Sequence, residues 1–242
     1  MANLADNIME VRTRLARAAE RAGRKPEDVL LLAISKTFPP AVIREAYEAG
    51  LRCFGENRIQ EAKAKIDQLP GDIHWHLVGH LQSNKARDAI EMFEMIHAVD
   101  SLALATDLEK WAERSSKQIP VLLEVNVAGE SSKFGLRADL VVETARQVAG
   151  FKRLELQGLM TVPPFLEETE KVRPFFRALR ERKAEVEQAL GVPLPHLSMG
   201  MSHDFEIAVE EGATIVRVGT SIFGSRQTLA QQRQAGEGKW EP

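Results

Sequence analysis

The apolar run VLLLAIS, residues 29–35, ends on a lysine, Lys36, just before the pair Pro39-Pro40. Taking a lysine out of water costs free energy unless the ammonium is paired or the amine is kept neutral, and only the neutral amine attacks a carbonyl. Lys36 is therefore a candidate for Schiff-base chemistry. The plainer alternative is a strand-terminal side chain whose head reaches solvent. Two later segments, LSMGMS (197–202) and VRVGTS (216–221), combine Gly, Ser and Thr at strand exits. Barrel enzymes hold phosphate at such places with backbone N–H groups, hydroxyls and a nearby helix start. Gly200 and Gly219 could instead serve only as tight turns, but two such turns in succession favour an anion. Ser198 and Ser202 are both candidates for the hydroxyl, and the sequence does not choose between them. An interior amine with a phosphate site predicts a phosphorylated aldehyde held as a Schiff base.

Arg217 lies two residues before Gly219, so strand alternation puts both on one face. If the ligand is pyridoxal 5′-phosphate, an arginine facing the ring nitrogen stays protonated and keeps that nitrogen from gaining a proton. The cofactor is then a weaker electron sink. The competing reading pairs Arg217 with a helix carboxylate, Glu206 or Glu210. IHWHLVGH (73–80) holds three histidines, and His74 with His76 has a spacing that can ligate zinc. That reading ranks low, because no matching ligand set stands at other strand ends. Asn57 in GENRIQE either caps the following helix, with Glu61 in its first turns, or touches a ligand. The single cysteine, Cys53, excludes an internal disulfide, fits a reducing compartment and reads best as a small core residue.

These residues need elements to carry them. After a first helix at about 4–22, short apolar runs alternate with stretches of helical spacing. The runs are VLLLAISK, RCFGEN, IHWHLVGH, MIHAVD, VLLEVNVAG, LELQGLMTV, HLSMG and TIVRVGTS. Helices are expected over 42–49, 57–69, 83–91, 102–116, 136–149, 167–190 and 205–211. Eightfold alternation predicts an α/β fold, a single (β/α)8 TIM-type barrel with an extra N-terminal helix, and a doubly wound sheet as the lesser possibility. One barrel domain is expected over 1–224, with a polar tail at 225–242. In such a barrel the strand ends meet on one face. That face gathers Lys36, Gly55-Glu56-Asn57, Gly79-His80, Asn126, Met160-Thr161, Ser198-Met199-Gly200 and Arg217 to Thr220.

The totals exclude several classes. A formal net charge of -3, with basic residues mixed among acids, gives no support for nucleic-acid binding. No apolar run approaches the roughly 20 residues of a bilayer span, so no membrane partner is expected. The N-terminal MANLADNIMEVRTRLARAAERAG lacks the apolar centre of a secretory signal. A cytoplasmic protein is expected.

The segments AISKTFP, FGENRIQE, HWHLVGHLQSNK, GLMTV and LSMGMSHDFEIAVEEGATIVRVGTSIFG together resemble the YggS/PROSC family of pyridoxal phosphate homeostasis proteins. The resemblance runs from about Leu30 to Gly224. It implies a barrel like the N-terminal domain of alanine racemase (fold type III) with pyridoxal 5′-phosphate on Lys36. It also implies Arg217 at the ring nitrogen, Asn57 near the ring, and Ser198, Met199, Gly219 and Thr220 around the phosphate. The implied role is buffering or delivery of the cofactor without established turnover. A monomer is expected, with pyridoxal phosphate-dependent apoenzymes as candidate partners. No catalytic residue and no metal ligand is assigned. The residues agree with this: racemisation needs a second acid/base on the far ring face, and the only tyrosine, Tyr47, falls in the first barrel helix. A binding protein is thus favoured over an amino-acid racemase, with Cys53 or His80 as an unconventional second base.

Overall fold

The structure, a computed structural model, describes residues 3–130 and 133–224. The expected tail at 225–242 lies outside the described residues. Eight parallel strands close on themselves: β1 (Leu30–Ile34), β2 (Cys53–Glu56), β3 (His74–Leu77), β4 (Met95–Val99), β5 (Ile119–Asn126), β7 (Leu154–Met160), β8 (His196–Met201) and β9 (Ile215–Val218). Pairing of β1 with β9 and of β4 with β5 shuts the barrel. A ninth strand, the two-residue β6 (Leu136–Arg137), adds only to the end of β5.

Side-chain alternation divides each strand between two apolar layers. Leu32, Ile34, Met95, Leu122, Met160 and Ile215 fill the barrel, while Ala33, Phe54, Trp75, Ile96, Leu123 and Val216 face outward to the helices. Because both faces are buried, the strands read as continuous apolar runs. The outer ring is formed by α2 (Pro40–Glu48), α3 (Ile59–Lys63), α4 (Ala86–Met92), α5 (Leu102–Arg114), α6 (Val141–Ala149), α7 (Arg173–Leu190), α8 (Phe205–Glu210) and the short α9 (Thr220–Phe223). The N-terminal helix α1 (Leu4–Arg21) starts at Asn3, whose side chain accepts the N–H of Ala5. It buries Ile8, Val11, Leu15 and Ala18, and Arg14 reaches Glu206 of α8 at 2.7 Å.

Three local expectations change. The helix expected over 57–69 is α3 followed by a single 3₁₀ turn, Ile66–Gln68. Its N-cap position is Arg58, with no side-chain cap, so Asn57 does not cap it. The helix expected from 136 begins at Val141, because Leu136 and Arg137 pair with Val125 and Asn126 first. Among the described residues no helix is long and apolar enough to cross a membrane.

Candidate functional site

Lys36 follows Leu32 and Ile34 at two-residue intervals, and so continues their inward face past the end of β1. The backbone around it is tied at several points. The N–H of Ser35 donates to the carbonyl of Gly55 at 3.0 Å. Ser35 Oγ donates to Glu56 Oε1 at 2.7 Å, and Lys65 Nζ donates to the same carboxylate oxygen at 2.8 Å and to the Ser35 carbonyl at 3.0 Å. Ser35, Glu56 and Lys65 are all buried. Burial pushes the Glu56 carboxyl upward, against the pull of Lys65 and Ser35. Thr37 adopts a left-handed φ of 68°, unusual for a β-branched residue, and its N–H is held by Glu61 Oε2 at 3.0 Å. Glu61, expected to assist a helix start, thus stabilises the turn that carries Lys36.

Lys36 opens on one cleft together with Ile34, Thr37, Phe38, Gly219, Thr220 and Gly224. The amine-bearing turn after β1 and the glycine turn after β9 are therefore neighbours. A Cβ on Gly219 would stand 3.3 Å from the Ile34 carbonyl, so the close approach of the two strand ends favours glycine there. Beside it, Ser202 Oγ accepts the N–H groups of Gly219 and Ser221, each at 3.2 Å. Gly200 sits at φ 91° with its α-carbon close against Phe205 and Ala208, which is the role of a tight strand exit.

The two candidate serines part company. Ser202 stands at the glycine turn, whereas Ser198 is fully buried in the barrel and accepts a hydrogen bond from Arg217 Nη1 at 2.7 Å. Met199, between inward Ser198 and the Gly200 turn, packs its side chain into the outer layer, away from the mouth. Arg217 gives its other arm, Nη2, to the Thr161 carbonyl at 2.7 Å. Its pairing with Glu206 or Glu210 does not occur: those carboxylates hold Arg14, and Arg21 with Arg173, on the outer helices. Glu124 and Asp204 act on Arg217 through space, and burial lowers the guanidinium to about 10, which still leaves it a cation at neutral pH. Its two hydrogen-bond acceptors are neutral, so its charge is not cancelled by contact.

The rest of the mouth carries Asn57, half-buried, whose backbone lies so close to Gly79 that a Cβ there would be 2.4 Å from the Asn57 carbonyl oxygen. His80 bonds through Nδ1 to Asp100 Oδ2 at 2.9 Å and stacks on Phe134 with ring centres 3.7 Å apart. His74 pairs instead with Glu94 at 2.7 Å, and His76 with His97, so the zinc reading of 74 and 76 dissolves. Among the described residues no group of three or more His, Cys, Asp or Glu could hold a metal. Tyr47 Oη reaches Asp72, which precedes β3, and so lies at the end of the barrel opposite Lys36. Cys53 faces the inner layer, and burial pushes its thiol up, as suits a core residue.

The family model described as "Alanine racemase, N-terminal domain" matches residues 3–227. The pyridoxal phosphate homeostasis protein of Aquifex aeolicus is 46% identical over 226 residues, covering 93% of this chain and 99% of its own. This chain belongs to the pyridoxal phosphate homeostasis protein family. PipY of Synechococcus elongatus, solved with PLP bound, superposes with a TM-score of 0.81 at 39% identity, covering 92% of this chain and 100% of that one. Alanine racemase of Clostridium difficile is similar at a TM-score of 0.70 but only 16% identity, and this chain covers 56% of it, so that likeness concerns the fold alone.

In this member of the homeostasis protein family, some polar residues of the interior carry no clear signal of their role in the sequence. His97, Glu124 and Lys65 are buried: His97 bonds to Ser198, Glu124 acts on Arg217 through space, and Lys65 holds the carbonyl of Ser35, next to Lys36. The first two signal only the need for a partner: a lone polar residue on the inward phase of an apolar strand, in MIHAV and VLLEV, must find one across the barrel.

Proposed function

We propose that this chain binds pyridoxal 5′-phosphate through Lys36 and serves as an intracellular holder of the cofactor, buffering or delivering it rather than turning over a substrate. The observation that carries this reading is the shared cleft of Lys36 with Gly219 and Thr220, which sets an amine beside a glycine turn flanked by the hydroxyls of Thr220 and Ser202. Pyridoxal phosphate supplies an aldehyde that condenses with an amine and a ring nitrogen that can take a proton. Lys36 would provide the amine, Thr220 and the Ser202 hydroxyl would provide phosphate donors beside the close approach that Gly219 allows, and Arg217 would provide a cation near the ring nitrogen. Ser198 contributes by holding Arg217, and Met199 contributes its backbone only. Asn57, just past the end of β2, would border the ring.

The residues fit the group on grounds internal to the structure. A buried arginine held by neutral oxygens, with its charge uncancelled, suits a ring nitrogen that is to stay unprotonated. The solved relative with PLP bound and the names of the curated relatives support the same reading. A monomer, a cytoplasmic location and pyridoxal phosphate-dependent apoenzymes as recipients belong to this proposal.

The racemase alternative draws on one feature, the His80–Asp100 pair at the mouth, where a carboxylate orients an imidazole. It lacks a tyrosine at the mouth, since Tyr47 is tied to Asp72 at the other end. Titration of the purified protein with the cofactor tests the proposal. A visible absorption band should appear with wild type and be absent with Lys36→Ala, and exchange of an amino acid's α-proton into deuterium oxide should stay at background. A wild type that gains no band refutes the reading.

A further inference from the structure

Arg217, Ser198, His97 and His76 form one hydrogen-bonded chain across the barrel, stepping from β9 to β8 to β4 to β3. All four are buried. The links measure 2.7 Å from Arg217 Nη1 to Ser198 Oγ, 2.9 Å from Ser198 Oγ to His97 Nδ1, and 3.0 Å from His97 Nε2 to His76 Nδ1.

Chemistry gives the chain a direction. A guanidinium has donors only, so Ser198 Oγ must accept from Arg217. The hydroxyl still has its own proton to place, and His97 Nδ1 is the acceptor in reach. His97 then carries its proton on Nε2 and donates to His76 Nδ1. In the reverse arrangement His97 Nδ1–H would also point at Ser198 Oγ, stranding the hydroxyl proton in the barrel interior. Burial keeps both imidazoles neutral: His76 is lowered to about 4 and His97 well below its ordinary value. The acceptor end of every dipole in the chain thus faces the guanidinium. Glu124, also buried on β5, acts on Arg217 through space without touching it.

We propose that His97 is a positioning residue which, through Ser198 Oγ, fixes the Arg217 guanidinium so that an uncancelled positive charge meets the ring nitrogen of bound pyridoxal phosphate. The inference rests on the function proposed above. Without the chain, Arg217 is free to turn toward Glu124 and form an ion pair, and a neutralised partner no longer keeps the ring nitrogen from taking up a proton. Thr161 alone holds one arm and leaves the other to swing.

The test uses the full chain as wild type, Ser198→Ala, Ser198→Thr and His97→Leu. In the cofactor-free wild type, imidazole ¹⁵N spectra should show His97 neutral with its proton on Nε2. A cationic His97, or one protonated on Nδ1, overturns the direction of the chain and the proposal with it. After loading with cofactor labelled with ¹⁵N in the ring, the wild-type resonance should sit at the unprotonated position. Ser198→Ala and His97→Leu should raise the proton affinity of that nitrogen by about tenfold, or ~1.4 kcal/mol. Ser198→Thr keeps the hydroxyl and should match wild type, a rescue that general loosening of the core would not produce. Ring-nitrogen signals unmoved in every variant, or a threonine variant shifted as far as alanine, overturn the inference while covalent uptake at Lys36 leaves the functional reading standing. Failure of the wild type to take up cofactor removes both. If His97→Leu does not fold, the serine pair and the cofactor-free spectra decide alone.

Discussion

Lys65 donates a hydrogen bond from Nζ to the carbonyl of Ser35, the residue immediately before Lys36, while also pairing with Glu56. A buried ion pair thus braces the turn that presents the amine. Breaking such a pair from one side leaves an uncompensated charge, whereas replacing both partners is close to neutral. Lys65→Met should therefore lower unfolding stability by about 3 kcal/mol. Adding Glu56→Gln should restore most of it in urea titrations. Cofactor uptake should weaken in the single variant beyond what its remaining folded fraction explains. A single variant as stable as wild type would show that the pair bears no such strain.

Arg217→Glu puts a carboxylate where the guanidinium now serves Ser198 and Thr161, and near Glu124. Hydrogen bonds from charged groups contribute about 1.5–3 kcal/mol each, so the cost in stability should reach about 3 kcal/mol or more. A second change, Glu124→Gln, should recover part of it by removing the like charge. In protein that folds and takes up cofactor, the ring nitrogen should become protonated and transamination with amino acids should rise. Both are read from spectra and from the aminated cofactor formed, and unchanged spectra would place the side chain away from the ring.

Glu124 gives a pH signature of its own. Burial raises its carboxyl from 4.5 to about 7. Between those values the folded chain holds a proton that the unfolded chain has released, so this group's contribution to stability falls as pH rises through the window and is level above it. The shift corresponds to about 3 kcal/mol. Glu124→Gln, measured against wild type, should gain that much in relative stability between pH 4.5 and pH 7, as followed by denaturant titration. A difference independent of pH would mean that Glu124 is hydrated or paired in solution.

Gly79 and Asn57 make another close contact with a simple consequence. A methyl at position 79 would lie 2.4 Å from the Asn57 carbonyl oxygen and 2.7 Å from its α-carbon, so backbone must move. Gly79→Ala should cost about 1–3 kcal/mol, as overpacking does. It should also shift the absorption maximum of bound cofactor if Asn57 borders the ring. A change in stability alone would remove Asn57 from the site.

The barrel was legible because parallel strands covered on both faces announce themselves as apolar runs, and their alternation with helical spacing leaves few topologies. Even the weakest run, RCFGEN, is β2. What could not be read was which polar residue reaches which partner across the barrel. Ser198 and Ser202 occupy similar places in LSMGMS, yet one turns inward to Arg217 and the other faces the glycine turn, and the difference depends on the left-handed Gly200 between them. Asn57 looked like a helix cap, but α3 starts one residue later and uncapped, its ends fixed by packing rather than by local signals. The brace of Lys65 on Ser35 joins residues far apart in the chain, and no spacing rule foretells it.

One amine, that of Lys36, decides the proposed function. Borohydride reduction of the cofactor-loaded protein, followed by proteolysis and mass spectrometry, should find the phosphopyridoxyl group on the peptide containing Lys36 and at no other lysine in comparable yield. The label on a different lysine, with Lys36 unmodified, would contradict the account.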